Sequence, residues 1–385
     1  MKTSPLRLAV VSDSIYPYHK GGKELRYREL LKRLPARDVH VDLYTMRWWH
    51  DAPPTDLVRL HAISPKLKMY SNGRRTIWQG LRFGLSCLRM LFIPRPSVLE
   101  ADHMPYLQLF PLRLVAWRHR VPLVVTWHEV WGFDGWRRYL GRVGGAIAVL
   151  IEKSAMRLPD HIVAVADGTA ERLRSSGVDP RRISVIHAGV LVTEIQGEPP
   201  APNAPEILSL GRLIAHKRHD LVIKAFAHLR SGEFPARLGI IGEGPERKAL
   251  ELLAEELGVR DHVIFYGALD HDHQVWAMLR GARVLAAPSE REGFGLAIAE
   301  GLAAGLAVVS TRHVDNGARH LIDDGITGSL ITPGDSEELA EAITGWLCDP
   351  GDRDARARGF EHRHPHLSWD GAADAYASLI RRLAA

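Results

Sequence analysis

Cysteine is almost absent from this chain: 385 residues hold only Cys87 and Cys348. So few, so far apart, exclude a disulfide framework and a zinc site built on paired cysteines, and they fit a reducing compartment. No uninterrupted apolar run reaches the roughly twenty residues that a membrane-spanning helix needs. Residues 1–13 hold too short an apolar run for a secretion signal and read as a first β-strand. The expected location is therefore cytoplasmic, with a place at the inner face of a membrane left open. Acidic residues are scarce in the first half. Residues 1–190 carry 30 Lys and Arg against 16 Asp and Glu, a net +14, while the remainder carries −9 and brings the chain to +5. A basic half suits an anionic partner: a membrane surface, a phosphorylated acceptor or nucleic acid.

What is present is an ordinary soluble composition, 46% hydrophobic and 25% charged, in a chain too long for one typical domain. Apolar strand-like runs at 6–11, 39–44, 97–101, 122–126, 161–165 and 183–187 are interleaved with helical patterns at 25–34, 144–158 and 168–175. Residues 197–205, Gly-Glu-Pro-Pro-Ala-Pro-Asn-Ala-Pro, are dense in proline and read as a linker. The alternation then restarts, with strands at 206–210, 237–241, 263–267, 282–287, 307–311 and 329–331. This predicts an α/β protein of two doubly wound, Rossmann-like domains, 1–196 and 206–368, facing a central ligand cleft. The last helix, within 369–385, is expected to pack back on the first domain. Residues 72–95 mix five arginines with Trp78, Phe83, Phe92 and several leucines. Two readings stand: a basic amphipathic helix on a membrane, or a helix packed on the sheet with its arginines in water.

The densest chemistry lies at 288–300, Pro-Ser-Glu-Arg-Glu-Gly-Phe-Gly-Leu-Ala-Ile-Ala-Glu. It reads as a strand end, a glycine-bracketed turn and a helix start. Such a turn offers free backbone N–H groups to an anion, and Glu292 and Glu300 could accept hydrogen bonds from sugar hydroxyls. Phosphate held by backbone and hydroxyls held by carboxylates suit a nucleotide sugar. Gly21-Gly22 follows the first strand and opens a helix, a phosphate-binding outline that is equally a flexible turn. His128 and Glu129 follow a central strand, where open α/β sheets place ligand contacts. Trp127, Trp131, Phe133 and Trp136 make that loop aromatic, as an acceptor cleft, an interface or plain core. Two Asp-x-Asp sequences, at 270–272 and 352–354, read as loop and helix-start carboxylates. The histidines around His364 read as a solvated loop, and no metal is expected.

The whole set of motifs resembles the retaining glycosyltransferases of the GT-B fold, family four of the sugar-transferase classification, also described as glycosyl transferases group 1. It comprises Gly21-Gly22-Lys23-Glu24, His128, Glu152 with 160–165, Gly211-Arg212-Leu213 with Lys217, Gly242-Glu243-Gly244-Pro245-Glu246, Gly267, and 288–300. The resemblance implies a metal-independent hexosyltransferase that needs no cofactor beyond its nucleotide-diphosphate sugar, a UDP- or GDP-sugar. By it, the first domain binds the acceptor and the second the donor. Gly21, Gly22, Gly211 and Gly242 would lie at the donor, Arg212 and Lys217 would neutralise its diphosphate, and Glu292 would hold sugar hydroxyls. Glu300 would hold the ribose, the backbone at Phe294, Gly295 and Leu296 would meet sugar and phosphate, and His128 would sit against the sugar. Two stretches depart from the pattern: His187-Ala188-Gly189-Val190, and Ala318 after Asn316-Gly317. The expected acceptor is a lipid-linked molecule, a saccharide of a surface polysaccharide, lipopolysaccharide or glycolipid pathway, or a soluble small molecule. An anionic membrane is an expected partner and nucleic acid is not. A nucleotide-sugar epimerase of the same fold and a catalytically dead binding member are the alternatives.

Overall fold

Strands such as Leu123–Trp127 and Val284–Ala287 are buried at every position, so helices must cover both faces of the sheets they join. The computed structural model of the chain describes residues 6–50, 58–71, 74–232, 235–348 and 351–385. It contains two units, Met1–Gly189 with Trp369–Ala385, and Val190–Ser368.

The first unit runs β1 (Leu6–Val11), α1 (Gly22–Arg33), β2 (Val39–Met46), β3 (Arg59–Ser64) and a small antiparallel pair, β4 (Tyr70–Ser71) with β5 (Arg74–Arg75). It continues through α2 (Ile77–Ser86), β6 (Val98–Asp102), α3 (Leu109–His119), β7 (Leu123–Trp127), α4 (Gly132–Ala155), β8 (His161–Ala164), α5 (Asp167–Ser175) and β9 (Ile183–Val185). The seven-stranded sheet has the order β3-β2-β1-β6-β7-β8-β9, and every pair in it is parallel. Two features differ from the sequence expectation. The segment 77–95 is not one helix: α2 passes at Cys87 into a 3₁₀ stretch, Cys87–Phe92, ahead of Pro94 and Pro96. The long helix α4 starts at Gly132 and kinks at Gly141 (φ 77°, ψ −177°), so Phe133 and Trp136 belong to its first turns rather than to a loop.

The second unit contains α6 (Val192–Gly197), β10 (Ile207–Leu210), α7 (His219–Ser231), β11 (Leu238–Ile241), α8 (Arg247–Glu256), β12 (Val263–Gly267), α9 (Asp272–Gly281) and β13 (Val284–Ala287). Then come α10 (Leu296–Ala303), β14 (Ala307–Thr311), β15 (Gly328–Ile331), α11 (Ser336–Cys348) and α12 (Arg353–Arg363). Its sheet is also parallel throughout, in the order β12-β11-β10-β13-β14-β15. Ile207, Phe226, Leu238, Val284, Leu339 and Ile343 lie in its core. The proline-rich stretch 197–205 is not a free linker. The Ala201 amide donates to the Ala277 carbonyl at 2.8 Å, Arg237 donates to the Ala204 carbonyl at 3.0 Å, and Ala204 is buried. The boundary falls at Gly189, because α6 already packs on α9 and α10.

The final helix, α13 (Trp369–Ala384), belongs to the first unit. It packs on α1 and β6, and Arg37 holds Asp374 at 2.6 Å and Asp370 at 3.1 Å. Beneath it, buried Glu100 accepts from Thr126 at 2.7 Å and Tyr27 at 3.2 Å. Burial outweighs those bonds and Arg26 and raises the Glu100 pKa. The Asp-x-Asp sequences serve helix starts: Asp352 accepts from the Ala355 amide at 2.9 Å to cap α12, and Asp272 opens α9.

In the second unit the loops after β10 and β11 stack backbone on backbone. Gly211 N–H donates to Ile241 O at 3.0 Å, and Gly242 N–H to Gly267 O at 2.8 Å. A Cβ on Gly242 (φ +142°) would meet the Gly211 oxygen at 1.9 Å. Gly242→Ala should therefore destabilise the protein by about 2 kcal/mol or more. Gly232→Ala, whose Cβ would touch only the Leu229 oxygen at 3.5 Å, should change little; urea unfolding of both variants measures the difference.

Candidate active site

In an open parallel sheet the chain leaves neighbouring strands in opposite directions at the point where the strand order reverses, and the crevice there receives ligands. In the second unit that point lies between β10 and β13. The loops that leave these strands carry the chemistry the sequence singled out. Lys217, in the loop after β10, and Glu292, in the loop after β13, form an ion pair at 2.5 Å, with side chains 17% and 13% exposed. Ser289 donates to the same Glu292 oxygen at 3.0 Å. The two loops are tied again by the Glu290 amide on the His216 carbonyl at 2.9 Å and by Arg218 on Glu290 at 2.7 Å. Arg218 also forks onto Asp220, both contacts at 3.0 Å. Arg212 is exposed and makes no side-chain hydrogen bond or ion pair among the described residues.

The Glu292 loop is pinned from its other side. Glu292 N–H donates to Asp315 O at 3.1 Å, and Gly317 N–H donates back to Glu292 O at 2.9 Å. Asn316, fully buried, bonds Ser310 at 2.9 Å and caps the Ala318 amide at 3.2 Å. Gly317 is required because a Cβ there would lie 2.3 Å from Gly293 O. Ala318, where the family pattern commonly has a glutamate, is fully buried against Gly295. Gly295 caps α10 in the left-handed region (φ 86°) and brings no capping side chain. The first-turn N–H groups of Leu296 and Ala297 thus keep the unpaired donors and partial positive charge of a helix start. Phe294 is buried and Glu300 sits half-buried on the second turn of α10. Under the basic loop, buried His219 bonds Ser209 at 2.9 Å and the Arg212 carbonyl at 3.3 Å. Burial, then Lys217, lowers its pKa to about 4. The neutral ring donates through Nε2 to that carbonyl and accepts from the Ser209 hydroxyl, which fixes the loop's path.

In the first unit the order reverses between β1 and β6, and a buried charge cluster occupies that point. Lys23, on the first turn of α1, lies 3.0 Å from Asp13 and 2.9 Å from Asp102, both of whose carboxylates are fully buried. Arg75 and Gln79 also reach Asp13, and Ser14 donates to Glu24 at 2.5 Å. Burial opposes ionisation of Asp102, but Lys23 and a hydrogen bond from His103 Nδ1 (3.1 Å) outweigh it and hold the carboxyl far below the usual range. His128 directly follows β7, its Nε2 3.6 Å from Asp102 and its carbonyl held by Thr169 at 3.1 Å. Burial overrides the pull of Asp102 and lowers the His128 pKa to about 3, so the ring is neutral near pH 7. Glu152, fully buried, binds the next segment together: it accepts from Tyr106 at 2.7 Å, the Trp131 amide at 2.8 Å, the Gly132 amide at 2.9 Å and Trp136 at 3.2 Å.

Of the residues expected from sequence, the second unit brings Lys217, Glu292, Gly211, Phe294, Gly295 and Leu296 onto the loops at one switch point. Gly211 and Gly242 use their N–H groups on neighbouring strand ends, so they contribute close chain approach rather than anion donors. Gly21 caps α1 and Gly22 is its exposed first residue. Trp127 is fully buried and Trp136 nearly so, stacked 4.6 Å from Trp131, which makes them core more than cleft. Sequence reasoning gave no role to Asp13, Asp102, His103 and His219, and quoted Lys23, Ser289 and Asn316 only within motifs. A polar residue closing an apolar strand was the available signal. Among the described residues no cluster of three or more His, Cys, Asp or Glu could hold a metal ion.

The family model described as Glycosyltransferase Family 4 matches residues 20–194, and the one described as Glycosyl transferases group 1 matches 193–360. The chain is 28% identical to a D-inositol 3-phosphate glycosyltransferase of Streptomyces bingchenggensis, over 98% of this chain and 90% of that one. It is 33% identical to the lipopolysaccharide core biosynthesis glycosyltransferase LpsE of Rhizobium meliloti, over 59% and 66%. Among solved structures it resembles sucrose-phosphate synthase from Thermosynechococcus elongatus, with a TM-score of 0.80, 21% identity and coverage of 98% and 99%. It also resembles Anabaena Alr3699/HepE in complex with UDP-glucose, with a TM-score of 0.74, 18% identity and coverage of 98% and 100%. These likenesses make the fold GT-B.

Acidification should destabilise the protein in part through His219. Its folded pKa of about 4 lies below the ordinary 6.5, so between those values the unfolded chain binds the extra proton and stability falls as pH falls. The contribution is on the order of 3 kcal/mol. Urea unfolding near neutrality and at about pH 4.5 should show a smaller loss in His219→Gln than in the unaltered protein.

Proposed function

The chain belongs to the group 1 glycosyl transferases, glycosyltransferase family 4, and from that premise we propose a retaining, metal-independent transfer of a hexosyl group from a UDP- or GDP-sugar to a hydroxyl. The observation that carries this reading is the Lys217–Glu292 pair at the second unit's switch point, beside the open first turn of α10. A fixed cation, an exposed Arg212, a carboxylate that accepts hydrogen bonds from hydroxyls and unpaired helix N–H groups are the complement of a sugar diphosphate.

In the reaction the bond from the sugar's anomeric carbon to the phosphate oxygen breaks with its electron pair passing to the diphosphate. The acceptor oxygen forms the new bond on the same face, and its proton passes to the departing phosphate oxygen. Negative charge grows on the diphosphate as positive charge grows on the ring. Lys217, Arg212 and the N–H groups of Leu296 and Ala297 meet the first change, which gives differential stabilisation of the transition state. Glu292 holds hydroxyls of the donor sugar and releases Lys217 to the phosphates as it does so. Glu300 takes the ribose hydroxyls. Within the first unit, the neutral His128 offers a hydrogen bond to a sugar hydroxyl without adding a competing charge, and Gly21 and Gly22 leave the start of α1 open to a phosphate. The UDP-glucose bound by Alr3699/HepE favours a UDP-hexose. The inositol phosphate and lipopolysaccharide relatives favour a sugar-phosphate or envelope-saccharide acceptor, at or near a cytoplasmic membrane face, which the first unit's net positive charge suits.

A thermal-shift screen of nucleotide sugars should single out one donor, with stabilisation near 2.7 kcal/mol at about a hundred times its Kd. With that donor, Lys217→Ala and Glu292→Ala should each lower kcat by roughly a hundredfold or more. The double variant should lose less than the two losses combined, because the partners act as a pair. Full activity in either single variant would overturn the assignment, and epimerised donor formed without an acceptor would move the protein to the epimerases.

A further inference from the structure

One face of the first unit combines exposed apolar side chains with positive charge. The steps β6→β7→β8→β9 all run in one direction across the sheet. Right-handed crossovers then put α3, α4 and α5 on the same face. The step β1→β2 runs the other way, which puts α1, and α13 packed on it, on the opposite face. α2 and the 3₁₀ stretch after it pack beside α3. Of seventeen large apolar side chains exposed among the described residues, twelve lie between Ile77 and Leu150 on these elements. On α2, Trp78 is 65% exposed, and Leu81 and Leu85 lie on the same side of the helix; on α3, Phe110, Leu114 and Trp117 are exposed at helical spacing. On α4, Ile147 and Leu150 follow.

The charges on these elements are nearly all of one sign. Residues 77–157 hold eleven Lys and Arg against five acids, and three of the acids, Glu100, Asp102 and Glu152, are buried. Arg82 lies 5.9 Å from the Trp78 ring, so a cation sits beside an exposed aromatic group; Arg113, 5.1 Å from the Trp117 ring, is paired with Asp160 at 2.8 Å. A water-facing helix alone would need no such coincidence; a protein partner would more often meet charges of both signs. No helix among the described residues is long and apolar enough to cross a membrane, so the arrangement suits lying on a bilayer and not spanning it.

We propose that the α2–α3–α4 face of the first unit docks on an anionic lipid bilayer, with Trp78, Leu85, Leu114 and Trp117 entering the headgroup boundary and Arg82 and Arg118 contacting lipid phosphates. This deepens the reading that the acceptor is presented at a membrane, and its test uses neither donor nor acceptor, so the two can fail separately. Purified protein is mixed at low salt with vesicles of phosphatidylcholine alone or of phosphatidylcholine with phosphatidylglycerol, and floated. It should bind the anionic vesicles, bind the neutral ones weakly, and leave the anionic ones as salt rises. Arg82→Gln with Arg118→Gln should weaken binding about thirtyfold, the effect of withdrawing two basic groups from an anionic surface, with the donor-induced thermal shift unchanged. In a Cys348→Ser background, a polarity-sensitive dye at Leu85→Cys or Leu114→Cys should shift to the blue on binding, and one at Leu252→Cys, exposed on α8 of the other unit, should not. Absence of binding to anionic vesicles at low salt would overturn the proposal. An equal response at Leu252→Cys would do the same. So would a concentration-dependent dimer, without vesicle binding, that Leu85→Asp abolishes.

Discussion

A parallel strand buried on both faces can present polar groups only at its ends, and the chemistry of this chain obeys that constraint in each unit. β1 ends two residues ahead of Asp13 and β6 ends on Asp102; β10 and β13 end ahead of Lys217 and Glu292. Because the strand order reverses between the members of each pair, the loops leave a crevice at those ends and not elsewhere. Glycines without room for a Cβ, Gly242 and Gly317, let the loops pack closely enough to hold their side chains in place.

The two switch points use charge differently. In the second unit one lysine and one glutamate neutralise each other across two loops, a pairing a ligand with both phosphate and hydroxyls can divide. In the first, buried Asp13, Glu24 and Asp102 face Lys23 and Arg75, and the nearby histidine stays neutral because burial costs an imidazolium more than Asp102 returns. Carboxylates buried this fully persist only when paired, so Lys23 is as much a condition for the fold of its switch point as a contact for a ligand. The strongly positive sum of the first half is therefore not located at its candidate site. Part of it, eleven Lys and Arg against five acids over residues 77–157, lies on the outer helices, mixed with exposed tryptophan and leucine.

Much was legible without coordinates. The alternation of apolar runs and amphipathic stretches specified a doubly wound fold, since apolar runs of four to eight residues, too short for most helices and bounded by turn residues, read as strands buried on both faces. The stretch 288–300 announced its turn and helix start through glycine placement. Less legible were the elements whose ends depend on neighbours. The proline-rich stretch looked like a linker but docks through Ala201 and Ala204. The aromatic loop at 127–136 became partly helix, with Trp127 and Trp136 in the core and Phe133 exposed, because Glu152, some twenty residues on, accepts from four donors around it.

The sequence by itself determined which residues carry chemistry and on which kind of element each stands, because local backbone preferences and apolar periodicity are properties of short segments. Only the tertiary structure decided which of them meet. Strand order brings Asp13 to Asp102 and Lys217 to Glu292 across 89 and 75 residues. Burial then sets whether a histidine is charged, and the side of the sheet on which each crossover passes decides which arginines and tryptophans share a face. Those are outcomes of packing, and no segment contains them.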